Sequence, residues 1–337
     1  MIKEAIGQLV GGNSLTMNEA STVMNEIMEG IATPAQFGAF VTALRCKGET
    51  VEEIAGLART MRAKALRVSI SEPVVDTCGT GGDGRGTFNI STTAAFVAAA
   101  CGVKIAKHGN RVMSSQCGSA DVLEALGVKI DLTPEQVQKC LETVGIGFML
   151  APVFHPAMKF AAAPRKEVGI RTVFNILGPL TNPAGAGAQL LGVPEKGLTA
   201  KMAAVLKMLD CQHALVVHGE DGLDEITITG KTYVSELKKG SIINYEITPE
   251  EFGFSRAAPD SLKGGSATDN AGLLRNILSG RKGPQRDIVL MNTAAALMAG
   301  DNVATFKQGI TLAGAAIDNG KALQKVEELV KFSHNPV

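Results

Sequence analysis

The chain has 337 residues, of which 33 are basic and 33 acidic, and its formal net charge is 0. This length exceeds the usual size of a single core, so we expect two units, or one large α/β unit with a helical appendage. Zero net charge provides no overall field that would attract nucleic acid or an anionic membrane, and we expect neither as a partner. The N-terminal segment lacks an apolar run of signal-peptide length, which favours a cytoplasmic protein without membrane spans.

Residues 1–66 are predicted to form a small helical unit. In a capping box, a threonine precedes Glu or Gln by three positions, and the two side chains satisfy free backbone N–H groups at the helix start. The pairs that fit this pattern are Thr16 with Glu19, Thr33 with Gln36, and Thr50 with Glu53. The spacing of Phe37, Phe40, Val41 and Leu44 places them on one helix face. This apolar face needs a cover, which the rest of the chain or a second copy could supply.

From residue 73 to residue 337, apolar strand-like runs alternate with helical segments. The runs are VVDTC, VKIAK, VGIGFMLA, AQLLGV and HALVVHG, and helices are predicted to begin near Ser91, Ser119, Thr133 and Leu198. This alternation predicts a larger α/β domain with a mostly parallel central sheet and helices on both faces. Ligands of such sheets bind at the carboxyl ends of the strands, so the loops after the first two strands should open on one rim.

The loop after the first strand is rich in glycine. Residues 76–93 read DTCGTGGDGRGTFNISTT, with five glycines in eight positions before an apolar helix begins. Glycines expose consecutive backbone N–H groups and let the chain approach a ligand without Cβ clashes. Because a helix N-terminus also favours an anion, the loop predicts a phosphate or pyrophosphate site.

The same loop satisfies the dinucleotide fingerprint GxGxxG through Gly79, Gly81 and Gly84, so a Rossmann dehydrogenase is an alternative. Two features disfavour it. The helix starts only near Ser91, and the second strand ends in Lys107, where that fold places an acid for the ribose. A Walker loop is excluded because the chain contains no GxxxxGK[ST].

The segment after the second strand is predicted to be an anion cradle. It supplies two cations and several hydroxyls, which belong to Lys107, Arg111, Ser114, Ser115 and Ser119. His108 in the same segment fits a hydrogen-bonded structural histidine as well as a binding residue.

Five motifs, in their order and spacing, resemble the anthranilate phosphoribosyltransferase family across essentially the whole chain. They are GTGGDGRGTFNIST, KHGNR, GSADVLEALG, HPAMKFAAAPRKEVGIRTVFNILGPLTNPA and GLDEIT. The resemblance implies transfer of the phosphoribosyl group of phosphoribosyl pyrophosphate to the amine of anthranilate, in tryptophan biosynthesis. It implies a homodimer with the fold of pyrimidine nucleoside phosphorylases. In that fold, residues 1–66 serve dimerisation and form a wall of the acceptor site, joined by helices near residues 165–180.

The resemblance also assigns the site residues and a cofactor. The donor is assigned to Gly79, Gly82, Asp83, Thr87, Asn89, Ile90, Ser91, Thr92, Lys107, Ser114, Ser115 and Ser119. Anthranilate is assigned to Gly79, His108, Asn110 and Arg165. Magnesium, as two ions of which at least one arrives with the donor, is assigned to Ser91, Asp224 and Glu225. No acid–base pair is assigned.

The residue types suit these roles, although several have an equally simple structural explanation. The guanidinium of Arg165 matches a planar carboxylate, yet without the resemblance this residue fits a surface arginine. Asp224 and Glu225 offer the oxygen ligands that Mg²⁺ prefers beside phosphate, yet adjacent acids are often a solvated turn. One departure concerns donor affinity: the family often reads SSKSGSAD, whereas this chain has Gln116 and Cys117 in the third and fourth places.

Two other functions are alternatives at this stage. A pyrimidine nucleoside phosphorylase resembles KHGGR followed by TG in the second loop, whereas this chain reads KHGNR and SSQCGSAD. A non-catalytic relative that binds polyanions should have degraded glycine and NIST motifs and a basic surface. Here both motifs are intact and the net charge is 0.

Overall fold

The computed structural model describes residues 1–111 and 117–336, and the chain begins with a group of four helices. They are α1 (Ile2–Val10), α2 (Met17–Met28), α3 (Pro34–Lys47) and α4 (Val51–Lys64). The three predicted capping boxes are confirmed, since Thr16, Thr33 and Thr50 each accept the N–H of the residue three positions on. These caps fix the helix starts because they satisfy N–H groups that have no partner inside the helix.

The second unit is built on one seven-stranded sheet. The strands are β1 (Val75–Gly79), β2 (Ile105–Gly109), β3 (Ile146–Leu150), β4 (Ala188–Gly192), β5 (His213–Gly219), β6 (Thr232–Lys238) and β7 (Ser241–Ile247). Their order is β3-β2-β1-β4-β5-β6-β7, and the first five are mutually parallel. The predicted mostly parallel α/β sheet is therefore confirmed. The strand order reverses between β1 and β4, because β2 and β3 lie on one side of β1 and the later strands lie on the other. Such sheets bind ligands at the position of this reversal.

The antiparallel strands β6 and β7 are absent from the sequence prediction. They are joined by Lys239 and Gly240, whose φ angles of 48° and 76° are the positive values of a two-residue hairpin turn. The alternating pattern of TYVSEL before this turn was the available signal.

Further helices cover both faces of the sheet. They are α5 (Ile90–Ala100), α6 (Ser119–Ala125), α7 (Pro134–Thr143), α8 (Ala151–Phe154), α9 (Lys159–Val168), α10 (Phe174–Leu177), α11 (Gly197–Met208), α12 (Ala267–Leu278), α13 (Pro284–Ala299), α14 (Phe306–Asp318) and α15 (Lys321–His334). The predicted starts of α5, α6, α7 and α11 are each correct to within one residue. Within the described ranges, no helix combines the length and the apolar character needed to cross a membrane.

The two faces of the sheet pack against different helices, because successive side chains of a strand point to opposite sides. Leu190 and Leu215 belong to the core that contains α5 and α12 to α15. Leu191 and Val216 belong to the core that contains α1 to α4 and α11. The second core therefore joins the helical unit to the α/β unit.

The apolar face of α3 is covered by the chain itself. Its residues are all buried, namely Phe37, Phe40, Val41 and Leu44. The ring of Phe37 lies 5.2 Å from that of Phe174 in α10, and α9 also packs against α3. The sequence allowed this face to be covered by the rest of the chain or by a second copy, and the structure shows that the rest of the chain covers it.

Asp318 and Arg286 form a bidentate ion pair that we expect to stabilise the C-terminal helices. Nη1 and Nη2 of Arg286 donate to the two carboxylate oxygens at 2.6 and 2.9 Å, and the arginine side chain is 5% exposed. The hydrogen bond from Arg286 holds the pKa of the Asp318 carboxyl well below its usual range. The stabilisation is therefore present above a pH of about 4, where the unfolded carboxyl ionises, and is lost as the pH falls through the lower folded-state pKa.

Asp318→Asn is expected to lower the free energy of unfolding by about 1–2 kcal/mol at pH 7, an amount reduced for the exposure of the carboxylate. Urea denaturation should show this difference shrinking below a pH of about 4. Asp260→Asn, which removes an exposed pair with Lys263, is the control and should leave stability unchanged. A difference between Asp318→Asn and the parent chain that is constant with pH would contradict the prediction.

Candidate active site

A cavity of about 460 Å³ lies at the carboxyl ends of β1 and β2, a size typical of small-molecule sites. Its lining includes every described residue that the resemblance assigned to donor, acceptor or metal. These are Gly79, Gly82, Asp83, Thr87, Asn89, Ile90, Ser91, Thr92, Lys107, His108, Asn110, Ser119, Arg165, Asp224 and Glu225. Ser114 and Ser115 lie outside the described residues. The fold thus brings together side chains from β1, β2, α5, α6, α9 and the segment after β5.

The glycine loop after β1 offers fewer free amides than its sequence suggests. The amide of Thr80 donates to the carbonyl of Gly192 at 3.0 Å, and that of Gly81 donates to Oδ2 of Asp224 at 2.7 Å. The amides of Gly82 and Asp83 have no acceptor among the described residues. These two adjacent N–H groups are therefore available to an anion.

Glycine is required where this loop meets Asp224. A Cβ built on Gly79 would lie 2.2 Å from Oδ2 of Asp224, and one built on Gly192 would lie 1.6 Å from its backbone oxygen. Both distances are below van der Waals contact. The close approach brings the carboxylate against the ends of β1 and β4.

The start of α5 has no side-chain cap. Asn89 does not cap the helix with its side chain, because Nδ2 donates to the carbonyl of Cys117 at 3.2 Å and Oδ1 accepts from Asn270 at 2.9 Å. The hydroxyl of Thr92 is buried without a partner in the described part of the chain. A helix N-terminus in this state favours an anion.

Asp224 and Glu225 connect these two anion-binding elements. Asp224 accepts the amide of Gly81, and Oε1 of Glu225 accepts the amide of Ser91 at 3.2 Å. The segment is fixed one residue later, where the side chain of Asn292 in α13 exchanges two hydrogen bonds with the backbone of Ile226. The positions of both acids are thus set by tertiary contacts.

The environment of Asp224 and Glu225 suits a divalent cation. Burial raises the pKa of both carboxyl groups, the charge of Asp83 raises that of Asp224 further, and the charge of Asp224 raises that of Glu225. Nearby Lys107 offsets the shift of Glu225 only in part. In residues 1–111 and 117–336, no group of three or more His, Cys, Asp or Glu could hold a metal by itself. A metal at this place would therefore share its ligands between protein carboxylates and donor oxygens.

Lys107 is the buried cation on this side of the cavity. It is 3% exposed, and its Nζ donates to the carbonyl of Thr77 and, at 3.3 Å, to Oγ of Ser91. The carboxyl of Asp76 in β1 is fully buried, and burial raises its pKa to about 6 although the charge of Lys107 and a hydrogen bond from Asn182 lower it in part. Lys107 thus brings positive charge to a region whose other buried charges are carboxylates.

Arg111, the second cation of the predicted cradle, is engaged elsewhere. Its guanidinium lines the cavity but donates to the carboxylates of Asp121 and Glu124 in α6. Among the described residues of the predicted cradle, Lys107 is therefore the cation that has no carboxylate partner within 4 Å.

His108 and Arg165 also line the cavity. Burial, helped by the ring of His155 at 5.1 Å, lowers the pKa of His108 to about 3, so its imidazole is neutral at physiological pH. Arg165 lies in the last turn of α9, is half-buried, and has a pKa that burial lowers. No described residue accepts a hydrogen bond from its guanidinium. Such a group favours a planar anionic ligand.

The chain matches two family models, and together they cover most of its length. Residues 3–65 match the helical bundle domain of a glycosyl transferase family, and residues 71–323 match the a/b domain of that family. Anthranilate phosphoribosyltransferase of Dehalococcoides mccartyi is 61% identical over 337 residues, which are 99% of each chain. The chain belongs to the anthranilate phosphoribosyltransferase family.

Solved structures of anthranilate phosphoribosyltransferases share the whole architecture. The protein of Thermus thermophilus has a TM-score of 0.93 at 45% identity, with 98% of this chain and 99% of that chain covered. The protein of Saccharomyces cerevisiae in complex with PRPP and Mg has a TM-score of 0.90 at 29% identity, with 99% and 98% covered. The same yeast protein is also known in complex with 4-fluoroanthranilate.

Some cavity residues were missed by the sequence prediction. Thr80, Arg171 and Asn175 line the cavity, and the hydroxyl of Thr80 is buried without a partner in the described part of the chain. Thr80 lies inside the glycine motif, so its position was an available signal. Arg171 and Asn175 follow α9 along the chain, and nothing in their local pattern indicates that this segment returns to β1.

Proposed function

We propose that the protein transfers the phosphoribosyl group of phosphoribosyl pyrophosphate to the amine of anthranilate. The products are N-(5-phosphoribosyl)anthranilate and pyrophosphate, in a step of tryptophan biosynthesis. One observation carries the proposal: the lining of one cavity combines free amides and enclosed carboxylates with the guanidinium of Arg165, which has no hydrogen-bond acceptor among the described residues. The two ligands of the yeast relative, PRPP with Mg and 4-fluoroanthranilate, support both substrates.

The donor occupies the side formed by the glycine loop, the start of α5 and Lys107. The amides of Gly82 and Asp83 bind the phosphate oxygens, and the positive end of the α5 dipole favours the same anion. The full set of donor residues is Gly79, Gly82, Asp83, Thr87, Asn89, Ile90, Ser91, Thr92, Lys107 and Ser119, with Ser114 and Ser115 outside the described residues.

The acceptor occupies the side formed by Gly79, His108, Asn110 and Arg165. The guanidinium of Arg165 binds the carboxylate of anthranilate in a two-point contact. The neutral ring of His108 packs against the aromatic ring without adding charge. The amine is then held on the side of the cavity that faces the donor.

Magnesium fits the residues between the two substrates. Ser91, Asp224 and Glu225 offer a hydroxyl and two carboxylates, all oxygen ligands of the kind that Mg²⁺ prefers. We propose two ions, at least one of which arrives with the donor. When bound, magnesium neutralises charge on the departing pyrophosphate.

The chemistry is a displacement at the anomeric carbon of the ribose. The C–O bond to pyrophosphate lengthens, the ribose acquires oxocarbenium character, and the amine attacks from the opposite face to form the C–N bond. The protein accelerates this by holding donor and acceptor in line and by stabilising the leaving group, effects on the order of several kcal/mol each.

Proton transfer needs no strong base in the protein. The amine of anthranilate is unprotonated near neutral pH, and a pKa of about 3 makes His108 a weak base. The proton leaves late, to water or to pyrophosphate.

Residues 1–66 are proposed to form the acceptor-site wall through α9 and to mediate a homodimer. Ile31 and Phe160 are 63% and 43% exposed. The ring of Phe160 lies 2.7 Å from a Cβ built on Gly30, the residue that precedes Ile31, so both exposed apolar residues belong to the region where α9 meets the α2–α3 connection. An exposed apolar patch of this kind favours association. Sedimentation should give twice the mass of the 35.1 kDa chain, and a monomer at micromolar concentration would contradict the dimer.

The function is tested by following the fluorescence of anthranilate with purified protein. The signal should fall only when phosphoribosyl pyrophosphate and Mg²⁺ are both present, with pyrophosphate formed in equal amount. Phosphorolysis of a pyrimidine nucleoside by inorganic phosphate, without anthranilate consumption, would assign the phosphorylase activity instead. Binding of nucleic acid without either reaction would assign the polyanion-binding alternative.

A further inference from the structure

Arg171 reaches from the segment after α9 to the glycine loop. Its Nη1 donates to the carbonyl of Gly82 at 3.0 Å, and its Nη2 donates to the carbonyl of Gly81 at 3.2 Å. A Cβ built on Gly82 would lie 1.7 Å from Nη1, so the guanidinium fits only against glycine. These contacts join residues that are 89 and 90 positions apart in the chain.

The two carbonyl contacts determine where two amides point. The chain has no cis peptide bond in its described parts, and in a trans peptide the C=O and N–H groups point in opposite directions. The carbonyl of Gly81 shares its peptide with the amide of Gly82, and the carbonyl of Gly82 shares its peptide with the amide of Asp83. Because one planar guanidinium binds both carbonyls, both amides are directed away from Arg171.

Both amides are available to a ligand. The preceding amides of Thr80 and Gly81 are bonded to Gly192 and Asp224, whereas those of Gly82 and Asp83 have no acceptor within the described residues. Gly81 and Gly82 have no Cβ and adopt left-handed φ angles of 71° and 76°, so this stretch has many accessible conformations in the absence of a clamp. A contact that fixes both peptides therefore reduces the entropy cost of binding an anion there.

We propose that Arg171 is a positioning residue for the donor: by holding the carbonyls of Gly81 and Gly82, it presents the amides of Gly82 and Asp83 to the diphosphate. This inference rests on the proposed function and deepens it. Arg171 lies six residues after Arg165, the acceptor anchor, so one segment supports both substrates. The expected consequence is nevertheless confined to the donor, because both contacts are to the glycine loop.

The test compares Arg171→Ala and Arg171→Lys with the parent chain in steady-state assays. The donor KM is expected to rise about tenfold or more in Arg171→Ala, while the acceptor KM changes less than about twofold and kcat less than about threefold. Lysine keeps the charge but cannot bind both carbonyls as a fork, so Arg171→Lys should still raise the donor KM at least about fivefold. The inhibition constant of pyrophosphate should rise in parallel, since it needs the same amides.

Arg281 is an exposed arginine between α12 and α13 that does not line the cavity. Arg281→Ala is therefore the matched control, and its kcat and its KM for both substrates should equal those of the parent chain. Thermal melting separates a folding defect from a binding defect. An unchanged donor KM in both Arg171 variants, or an equal rise of the acceptor KM, overturns the inference. If the parent chain does not consume anthranilate, the proposed function fails, and calorimetric binding of pyrophosphate with Mg²⁺ to the parent chain and to Arg171→Ala decides the role of Arg171 separately.

Discussion

Replacing Asp224 and Glu225 together by alanine is expected to lower kcat by about 10³-fold or more. The two carboxylates lie between the glycine loop and the start of α5, where the leaving pyrophosphate is proposed to bind, and burial favours their pairing with a cation. Removing a group that stabilises developing charge costs about 10²–10³-fold in rate, and here two such groups are lost. The measurement is kcat as a function of magnesium concentration, which should no longer saturate in the range of the parent chain.

The isosteric pair Asp224→Asn and Glu225→Gln separates charge from local structure. An asparagine oxygen can still accept the amide of Gly81, as Asp224 does, so the loop keeps its contact while the cation loses a charged ligand. We expect most of the loss in kcat to remain. Glu220→Ala removes an exposed acid from the same segment and should change little. A magnesium titration that is unaltered in the double variant would remove both acids from the metal site.

The features that sequence reasoning located are those whose cause is local. Each capping box needs only two side chains three positions apart, and the helices that follow Thr16, Thr33 and Thr50 begin where the boxes predict. Five parallel strands were found for the same reason, since strands buried on both faces are continuous apolar runs.

The free and occupied amides of the glycine loop were not predictable from the same evidence. The sequence predicts a row of exposed N–H groups, but their acceptors come from elsewhere in the fold: Gly192 ends β4, and Asp224 follows β5. Which amides remain for a ligand depends on those tertiary partners. A local pattern therefore finds the loop and cannot identify its working donors.

The charged residues show the same limit. Arg111 and Arg171 look alike in sequence, since each lies in a polar segment after an apolar run. In the structure, Arg111 is paired with Glu124, whereas Arg171 binds two carbonyls of the glycine loop. Long-range partners decide which arginine is free to act, and these partners are specified only by the complete fold.

Arg165→Ala is expected to raise the acceptor KM by about 10²-fold and to leave the donor KM within about twofold. The guanidinium is half-buried, and no described residue pairs with it, so a substrate carboxylate would supply its anionic partner. A charge-assisted two-point contact in such a place is worth about 2–3 kcal/mol, which corresponds to a factor of about 30–150. Steady-state kinetics with each substrate varied in turn provide the measurement.

Aniline, which lacks the carboxylate, makes this prediction specific to the proposed contact. The parent chain should discriminate strongly between anthranilate and aniline, and Arg165→Ala should lose most of that discrimination because it cannot recognise the group in which they differ. Lys166→Ala, an exposed cation next in the same helix, should retain it. If Arg165→Ala keeps the discrimination of the parent chain, another residue binds the carboxylate. General damage to the cavity would weaken both acceptors alike, so it would raise both KM values and leave this discrimination unchanged.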